Sequence, residues 1–288
     1  MRWRTGRRSD NVVDRRGQRP PRGRGVKLGG GVIIALVAAA FLGVDPTLVL
    51  SLFGGGGAGM TETRYDTPAA QPPAQDEQAQ FVSVVLADTE DTWGALFADA
   101  GGRYQPPKLI LFNDAVQSAC GMAGAAVGPF YCPGDQQVYI DLGFFRELRN
   151  KYQAPGDFAQ AYVLAHEVGH HVQNLTGTMD QVNRARGSVS KTDANALSVL
   201  LELQADCYAG IWAHHAQRSR QILERGDIEE AMRAAGAVGD DTIQRRSTGH
   251  VVPDAFTHGS AEQRMSWFRR GLQSGNVGDC DTFQAASR

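Results

Sequence analysis

The residues best suited to chemistry lie within one turn of a predicted helix, at His166, Glu167 and His170. Residues four apart on a helix share one face, so the two imidazole rings can converge on one ion. Imidazole nitrogen is a preferred ligand of Zn²⁺, at about 2.0–2.1 Å. Glu167 lies about 100° around the helix from His166, where it can act as a general base toward a water. The spacing therefore predicts two metal ligands and one base.

The same short pattern also occurs by chance, and the alternative interpretation is a solvated surface helix. The neighbouring residues favour a buried helix, because residues 162–165, Val168 and Val172 are apolar. Burying two imidazoles and a carboxylate without partners costs several kcal/mol. A bound metal removes that objection.

A catalytic zinc site needs a third protein ligand and one open position. A second long predicted helix, residues 193–215, carries Glu202 and Asp206 four residues apart. We expect Glu202 to be the third ligand. We expect Asp206 to accept a hydrogen bond from the far nitrogen of a ligand histidine and so fix its tautomer. Acidic residues four apart usually mark a solvated face, but residues 200–212 are mostly apolar, so the two carboxylates require a positive partner.

The two helices together resemble the gluzincins, peptidases in which two histidines and a glutamate bind zinc. More narrowly, residues 81–272 resemble the bacterial family of putative neutral zinc metallopeptidases. The stretches that carry the resemblance are 119–121, 128–133, 138–142, 165–173, 202–212, 256–260 and 263–264. The resemblance implies a zincin-like peptidase with one Zn²⁺ per chain, held by His166, His170 and Glu202, and with Glu167 as general base toward a metal-activated water.

Hydrolysis of a peptide also needs a donor for the oxyanion and a surface for the substrate backbone. His258, His250 and Tyr139 are candidate donors, and a structural role is an alternative for each. We favour His258 because it lies in the family-like stretch 256–260. Zincins in general pair substrate with an edge strand, and Val138, Tyr139 and Ile140 in the predicted strand 137–142 are the candidates here.

The four cysteines, Cys120, Cys132, Cys207 and Cys280, allow three pairings. We expect Cys120–Cys132 to pin a glycine-rich loop over residues 119–134, and Cys207–Cys280 to tie the C-terminal tail to the second long helix. Free buried thiols are the alternative. A cysteine zinc site is disfavoured because no pair has the short spacing that such sites use.

The N-terminal part of the chain predicts membrane attachment. Residues 1–27 carry ten Lys or Arg against two Asp, and residues 28–44 carry no charge. We expect a single transmembrane anchor over residues 28–53, with residues 1–27 as a cytoplasmic arm and the rest of the chain outside the cytoplasm. A cleaved signal peptide is the alternative for the apolar run, and nucleic-acid binding is the alternative for the arm. Lipid contact accounts for both segments, so we expect no nucleic-acid partner.

The rest of the chain predicts a tether over residues 54–80, rich in Gly and Pro, and one metallopeptidase domain over residues 81–288. Helices are predicted at 81–100, 144–152, 157–175, 193–215, 227–238 and 261–272, and strands at 108–112 and 137–142. The fold class is therefore α+β, mostly helical with a small β-sheet, preceded by one transmembrane helix. The expected partner is a peptide or protein substrate. The alternative function is a catalytically silent membrane-tethered module that binds peptides or a membrane partner.

Overall fold

The structure, a computed structural model, describes residues 1–18, 72–73, 75–124 and 128–286. The strands in these ranges are β1 (Val12–Asp14), β2 (Lys108–Phe112), β3 (Ala115–Ser118), β4 (Gly121–Gly124), β5 (Phe130–Cys132) and β6 (Gln137–Asp141). The α-helices are α1 (Glu77–Asp99), α2 (Gly143–Asn150), α3 (Asp157–Leu175), α4 (Thr178–Arg186), α5 (Lys191–Arg220), α6 (Asp227–Ala237), α7 (Asp240–Ser247), α8 (Ala261–Ser274) and α9 (Thr282–Ala286). The predicted helix-rich α+β class is confirmed.

The main sheet has four strands in the order β1-β2-β6-β5. β1, β2 and β6 are parallel, and β5 runs antiparallel to β6. β3 and β4 form a separate antiparallel hairpin. The strands predicted at 108–112 and 137–142 are present, whereas the predicted loop 119–134 contains β4 and β5. These two strands are short and lie next to glycines, so their own sequence does not predict a strand. They become strands by pairing with a neighbouring strand.

The core joins α3 and α5, the two helices that carry the candidate metal ligands. The rings of Phe158 in α3 and Trp212 in α5 are fully buried and stacked, with 5.6 Å between centroids. α8 approaches α5 closely through two glycines. A Cβ on Gly210 would lie 2.1 Å from a backbone oxygen of α8, and one on Gly271 would lie 2.0 Å from a backbone oxygen of α5. This contact brings Arg264 of α8 to the site.

The structure differs from the predicted separate arm over residues 1–27. Residues 1–17 belong to the same compact unit as residues 69–288, and β1 is a strand of the main sheet. The arginines pair with acidic groups of the domain: Arg7 lies 2.7 Å from Asp91, and Arg16 lies 2.5 Å from Asp76. These arginines therefore neutralise acidic groups on the surface of their own chain. This packing is incompatible with a placement of residues 1–17 in the cytoplasm, separate from the domain.

The predicted anchor, residues 28–53, lies outside the described residues. Among the residues that are described, none of the helices combines the length and the apolar character that a membrane crossing requires. The tether prediction also lies mostly outside them, although α1 begins at Glu77, four residues before the predicted start. Asp76 caps this helix by accepting a hydrogen bond of 2.9 Å from the backbone N–H of Ala79.

Both predicted disulfides are present, Cys120–Cys132 and Cys207–Cys280. The first joins the β3–β4 hairpin to β5. The second joins α5 to the 3₁₀ turn Val277–Cys280 and so fixes the C-terminal segment against the helix that carries Glu202.

Candidate metal centre

Three side chains from two facing helices converge at the centre of the domain. His166 and His170 extend from α3, and Glu202 extends from α5. The two Glu202 carboxylate oxygens lie 3.2 Å from Nε2 of His166 and 3.3 Å from Nε2 of His170. Ligand atoms about 2.05 Å from a tetrahedral ion lie about 3.3 Å apart. Both histidine-to-carboxylate distances match this spacing, and the three ligand atoms lie within 4.8 Å of one another. The arrangement is therefore compatible with a tetrahedral zinc ion that has one position left open.

The far nitrogen of each histidine has its own acceptor. Nδ1 of His166 lies 2.8 Å from an Asp206 oxygen, which confirms the contact predicted from the sequence. Nδ1 of His170 lies 2.9 Å from Oε1 of Gln173, a contact that the sequence does not predict. With the proton of each ring on Nδ1, both Nε2 atoms present a lone pair toward Glu202. This is the tautomer that a metal ligand needs.

The Gln173 amide is fully buried and is itself held in place. Its nitrogen donates to the backbone oxygen of Leu201, at 2.7 Å, and to the side chain of Gln204, at 3.0 Å. Gln204 in turn donates to the backbone oxygen of Cys280. The only sequence signal for this role is a polar residue three positions after His170 on an apolar helix, where a buried amide requires a partner.

Asp206 is the most enclosed charged group of the site, with a fully buried side chain. It accepts hydrogen bonds from Arg264, from Nε at 2.8 Å and from Nη2 at 3.0 Å, and from the hydroxyl group of Tyr162. Arg264 is itself only 5% exposed. The guanidinium compensates the buried charge of Asp206, so the carboxylate stays ionised and can orient His166.

The pKa shifts show that the site stabilises positive charge between its carboxylates. Burial opposes ionisation of Glu202, but the charges of His170 and His258 outweigh it and hold the pKa of the carboxyl well below its ordinary value. Burial also opposes protonation of His166, yet Asp206 and Glu202 raise its pKa to about 10. Electrostatics that favour a proton at this position favour a divalent cation as well, and the two compete.

Glu167 lies beside the three ligands and faces the same cleft, which has a volume of about 390 Å³. Burial raises the pKa of its carboxyl, and the charges of His166 and His170 offset this only in part. A base in such an environment binds a proton more readily than an exposed glutamate does.

Of the three candidate oxyanion donors, His258 lines this cleft. His250 is exposed, and its backbone bonds only locally, to Thr248. The Tyr139 hydroxyl donates to Asp135 at 2.7 Å, and its ring is buried against Phe130. The structure thus brings His258 to the site and leaves His250 and Tyr139 away from it.

The predicted substrate strand requires a correction. Val138, Tyr139 and Ile140 lie in β6, which is bonded to β2 on one side and to β5 on the other. Over Gln137–Tyr139 the strand is paired on both sides and has no free backbone edge for a peptide, whereas Ile140 pairs with β2 alone. Among the described residues, the terminal strand on this side of the sheet is β5, and its residues Phe130 and Tyr131 line the cleft.

A second group of three carboxylates, Asp157, Asp227 and Glu230, also has the spacing of a cation site. Here the α-ammonium group of Met1 already lies 2.7 Å from Asp157 and 3.3 Å from Asp227.

His171, adjacent to His170, is buried, with Nε2 2.7 Å from the backbone oxygen of Gln105. These contacts direct its ring away from the metal ligands.

Two histidines and a glutamate around one point, with a second glutamate beside them, are the kind of residue set that zinc peptidases use. The chain belongs to the family described as putative neutral zinc metallopeptidase, whose model matches residues 1–283. The match therefore includes the N-terminal residues that pack on the domain.

Curated relatives cover nearly the whole chain. It is 45% identical to the uncharacterized protein YpfJ of Escherichia coli strain K12 over 294 residues, which cover 98% of this chain and 99% of that protein. It is 39% identical to the uncharacterized protein Rv2575 of Mycobacterium tuberculosis strain H37Rv over 267 residues, 86% of each chain. No solved structure matches the chain.

Proposed function

We propose that the protein is a gluzincin-like zinc peptidase that hydrolyses peptide bonds. The observation that carries this proposal is the convergence of His166, His170 and Glu202 on one point, with Glu167 beside them in an open cleft. Two imidazoles and one carboxylate are a donor set that zinc prefers, and their spacing fits one ion per chain.

When bound, zinc supplies a Lewis acid that polarises a carbonyl group and lowers the pKa of water. Glu167 takes the proton from the attacking water and delivers it to the leaving amine. Its raised pKa suits both transfers, because the carboxyl has to hold the proton between them. Asp206 and Gln173 hold the two ligand rings in place, and His258 donates a hydrogen bond to the developing oxyanion.

The cleft favours an extended peptide as substrate. β5 offers a strand edge along one wall, where a peptide backbone can add to the sheet. The lining of the cleft also includes apolar and aromatic residues: Phe144, Tyr152, Val163, Val238 and Ile243. Such a surface binds a large apolar side chain next to the cleaved bond. The ion pairs of Arg7 and Arg16 with acidic groups of the domain support the expectation that nucleic acid is not a partner.

The test is cleavage of a peptide library by the zinc-loaded full-length protein, with Glu167→Gln as the matched variant. We expect the wild type to cleave beside large apolar residues. The variant should retain its zinc, because Glu167 is not a ligand, and should lose turnover by at least about 100-fold. Equal cleavage by the two proteins would refute the role of Glu167. A zinc-loaded wild type that binds peptides and cleaves none supports the silent binding module instead.

Membrane attachment through residues 28–53 stays a prediction. It is tested by fractionating cells that produce the full chain and a variant lacking these residues. Recovery of the full chain in the soluble fraction contradicts it.

A further inference from the structure

One carboxylate, Asp240 at the start of α7, gathers the segment that carries His258. Its Oδ2 accepts hydrogen bonds from the backbone N–H groups of Thr257, His258 and Gly259, at 2.7, 2.6 and 3.1 Å. Its Oδ1 lies 3.3 Å from Nδ1 of the His258 ring. Asp240 is only 9% exposed. All four contacts go to three consecutive residues, so this carboxylate fixes both the backbone and the ring of His258.

The contacts to the ring determine which nitrogen faces the cleft. Nδ1 of His258 lies 3.3 Å from the Asp240 carboxylate and 3.0 Å from the hydroxyl oxygen of Thr257. The ionised carboxylate can only accept a hydrogen bond, so it favours a proton on Nδ1. Nε2 is then left for the cleft, where His258 lies with Glu167 and Glu202.

A neutral ring that carries its proton on Nδ1 has no hydrogen on Nε2 to donate to an oxyanion. Donation from Nε2 requires the cationic ring, with a proton on both nitrogens. A carboxylate bonded to Nδ1 stabilises that cation by direct charge pairing. The same contact therefore sets the orientation of His258 and supplies the charge that makes it a donor.

We infer that Asp240 is a positioning residue for catalysis, which orients His258 and keeps it a hydrogen-bond donor toward the reacting carbonyl. This inference rests on the proposed peptidase function. Asp240 does not line the cleft and acts only through His258.

A purely structural role for Asp240 is the competing explanation. The segment after residue 256 leads into α8, which carries Arg264. Asp241 contributes to the same attachment by accepting a hydrogen bond of 2.7 Å from the backbone N–H of Ala261. Loss of Asp240 could therefore weaken activity by loosening the segment, and a single activity measurement cannot separate the two roles.

A double-mutant cycle in the zinc-loaded full-length protein separates them. Asp240→Asn keeps an oxygen that can accept the backbone bonds and removes the charge next to Nδ1. We expect it to lower kcat by about 10- to 100-fold, with little change in KM and in zinc content. In the His258→Ala background the same substitution should have no further effect on kcat. Asp241→Asn, which removes a neighbouring charge but no contact to the ring, is the matched control.

Two kinetic outcomes overturn the inference. One is an equal loss of kcat from Asp240→Asn with and without His258. The other is an equal loss from Asp241→Asn.

A readout without turnover comes from ¹⁵N chemical shifts of the His258 ring in the wild-type protein, assigned by comparison with His258→Ala. We expect a proton fixed on Nδ1, and redistribution of the ring protons in Asp240→Asn if that variant folds. A neutral His258 ring that carries its proton on Nε2 in the wild-type protein overturns the inference. This readout also distinguishes the two proposals. If no peptide is cleaved, the peptidase proposal fails, and the shifts still decide whether Asp240 orients His258.

Discussion

Gly169 offers a way to move the metal ligands without changing any of them. It lies between the two ligand histidines on α3, against Ala205 of α5. A Cβ at this position would lie 3.0 Å from the Ala205 oxygen and 3.1 Å from its Cα, whereas ordinary contact begins at 3.4 Å. Gly169→Ala therefore forces the two helices apart by about 3.4 − 3.0 = 0.4 Å. Metal–ligand distances tolerate only about 0.2 Å.

The effects on stability and on metal affinity should differ in size. Overpacking costs about 1–3 kcal/mol, and replacing glycine by alanine in a helix returns about 1 kcal/mol. The free energy of unfolding of the metal-free protein should therefore fall by no more than about 2 kcal/mol. Zinc affinity should fall by about 10- to 100-fold, because Glu202 moves away from the histidines together with α5.

The assay combines zinc titration against a chromophoric chelator with urea unfolding of the metal-free proteins. Gly94→Ala in α1 is the matched control, since a Cβ there meets nothing within 4 Å. It should stabilise the protein by up to about 1 kcal/mol and leave zinc affinity unchanged. If Gly169→Ala binds zinc as tightly as Gly94→Ala does, the close contact between the helices does not set the geometry of the site.

Three further predictions concern groups around the ligands. Arg264→Met leaves the buried Asp206 carboxylate without its guanidinium partner. The free energy of unfolding of the metal-free protein, measured in urea, should fall by about 3–5 kcal/mol. A loss below about 1 kcal/mol contradicts the pairing. Gln173→Leu removes the acceptor for His170 and should weaken zinc binding by about 10- to 100-fold in chelator competition, and unchanged affinity refutes its orienting role. In the metal-free protein the pKa of His166 is raised from 6.5 to about 10, so protonation of this ring stabilises the folded state. This contribution is fully present below pH 6.5 and is lost as the pH rises through about 10. Zinc binding at pH 8 should therefore release about one proton from this ring. Calorimetry in two buffers of different ionisation enthalpy measures the release, and identical heats in both contradict it.

The parts of the fold that the sequence predicts well are those with long, regular patterns. α3 and α5 are apolar over many turns, and their polar residues recur four apart, so helix, burial and metal chemistry follow together. β2 and β6 are five-residue strands in the centre of the sheet, with four and three consecutive apolar or aromatic residues. In these segments the local preference and the tertiary environment agree.

The parts that the sequence does not predict depend on contacts between distant residues. β1 has three residues within a basic segment, and only its pairing with β2 makes it a strand. Because β5 is equally short, the sequence does not predict its pairing with β6, and β6 alone has the pattern of an edge strand. The role of Asp240 has no local signature, since acidic residues at the start of a helix are common on solvated surfaces.

The most direct test of the metal site is anomalous diffraction at the zinc absorption edge, from crystals of the zinc-loaded full-length protein. The account predicts one anomalous peak per chain, about 2.0–2.1 Å from Nε2 of His166, Nε2 of His170 and a carboxylate oxygen of Glu202. A peak at Asp157, Asp227 and Glu230 instead, or no peak at the two histidines, contradicts it.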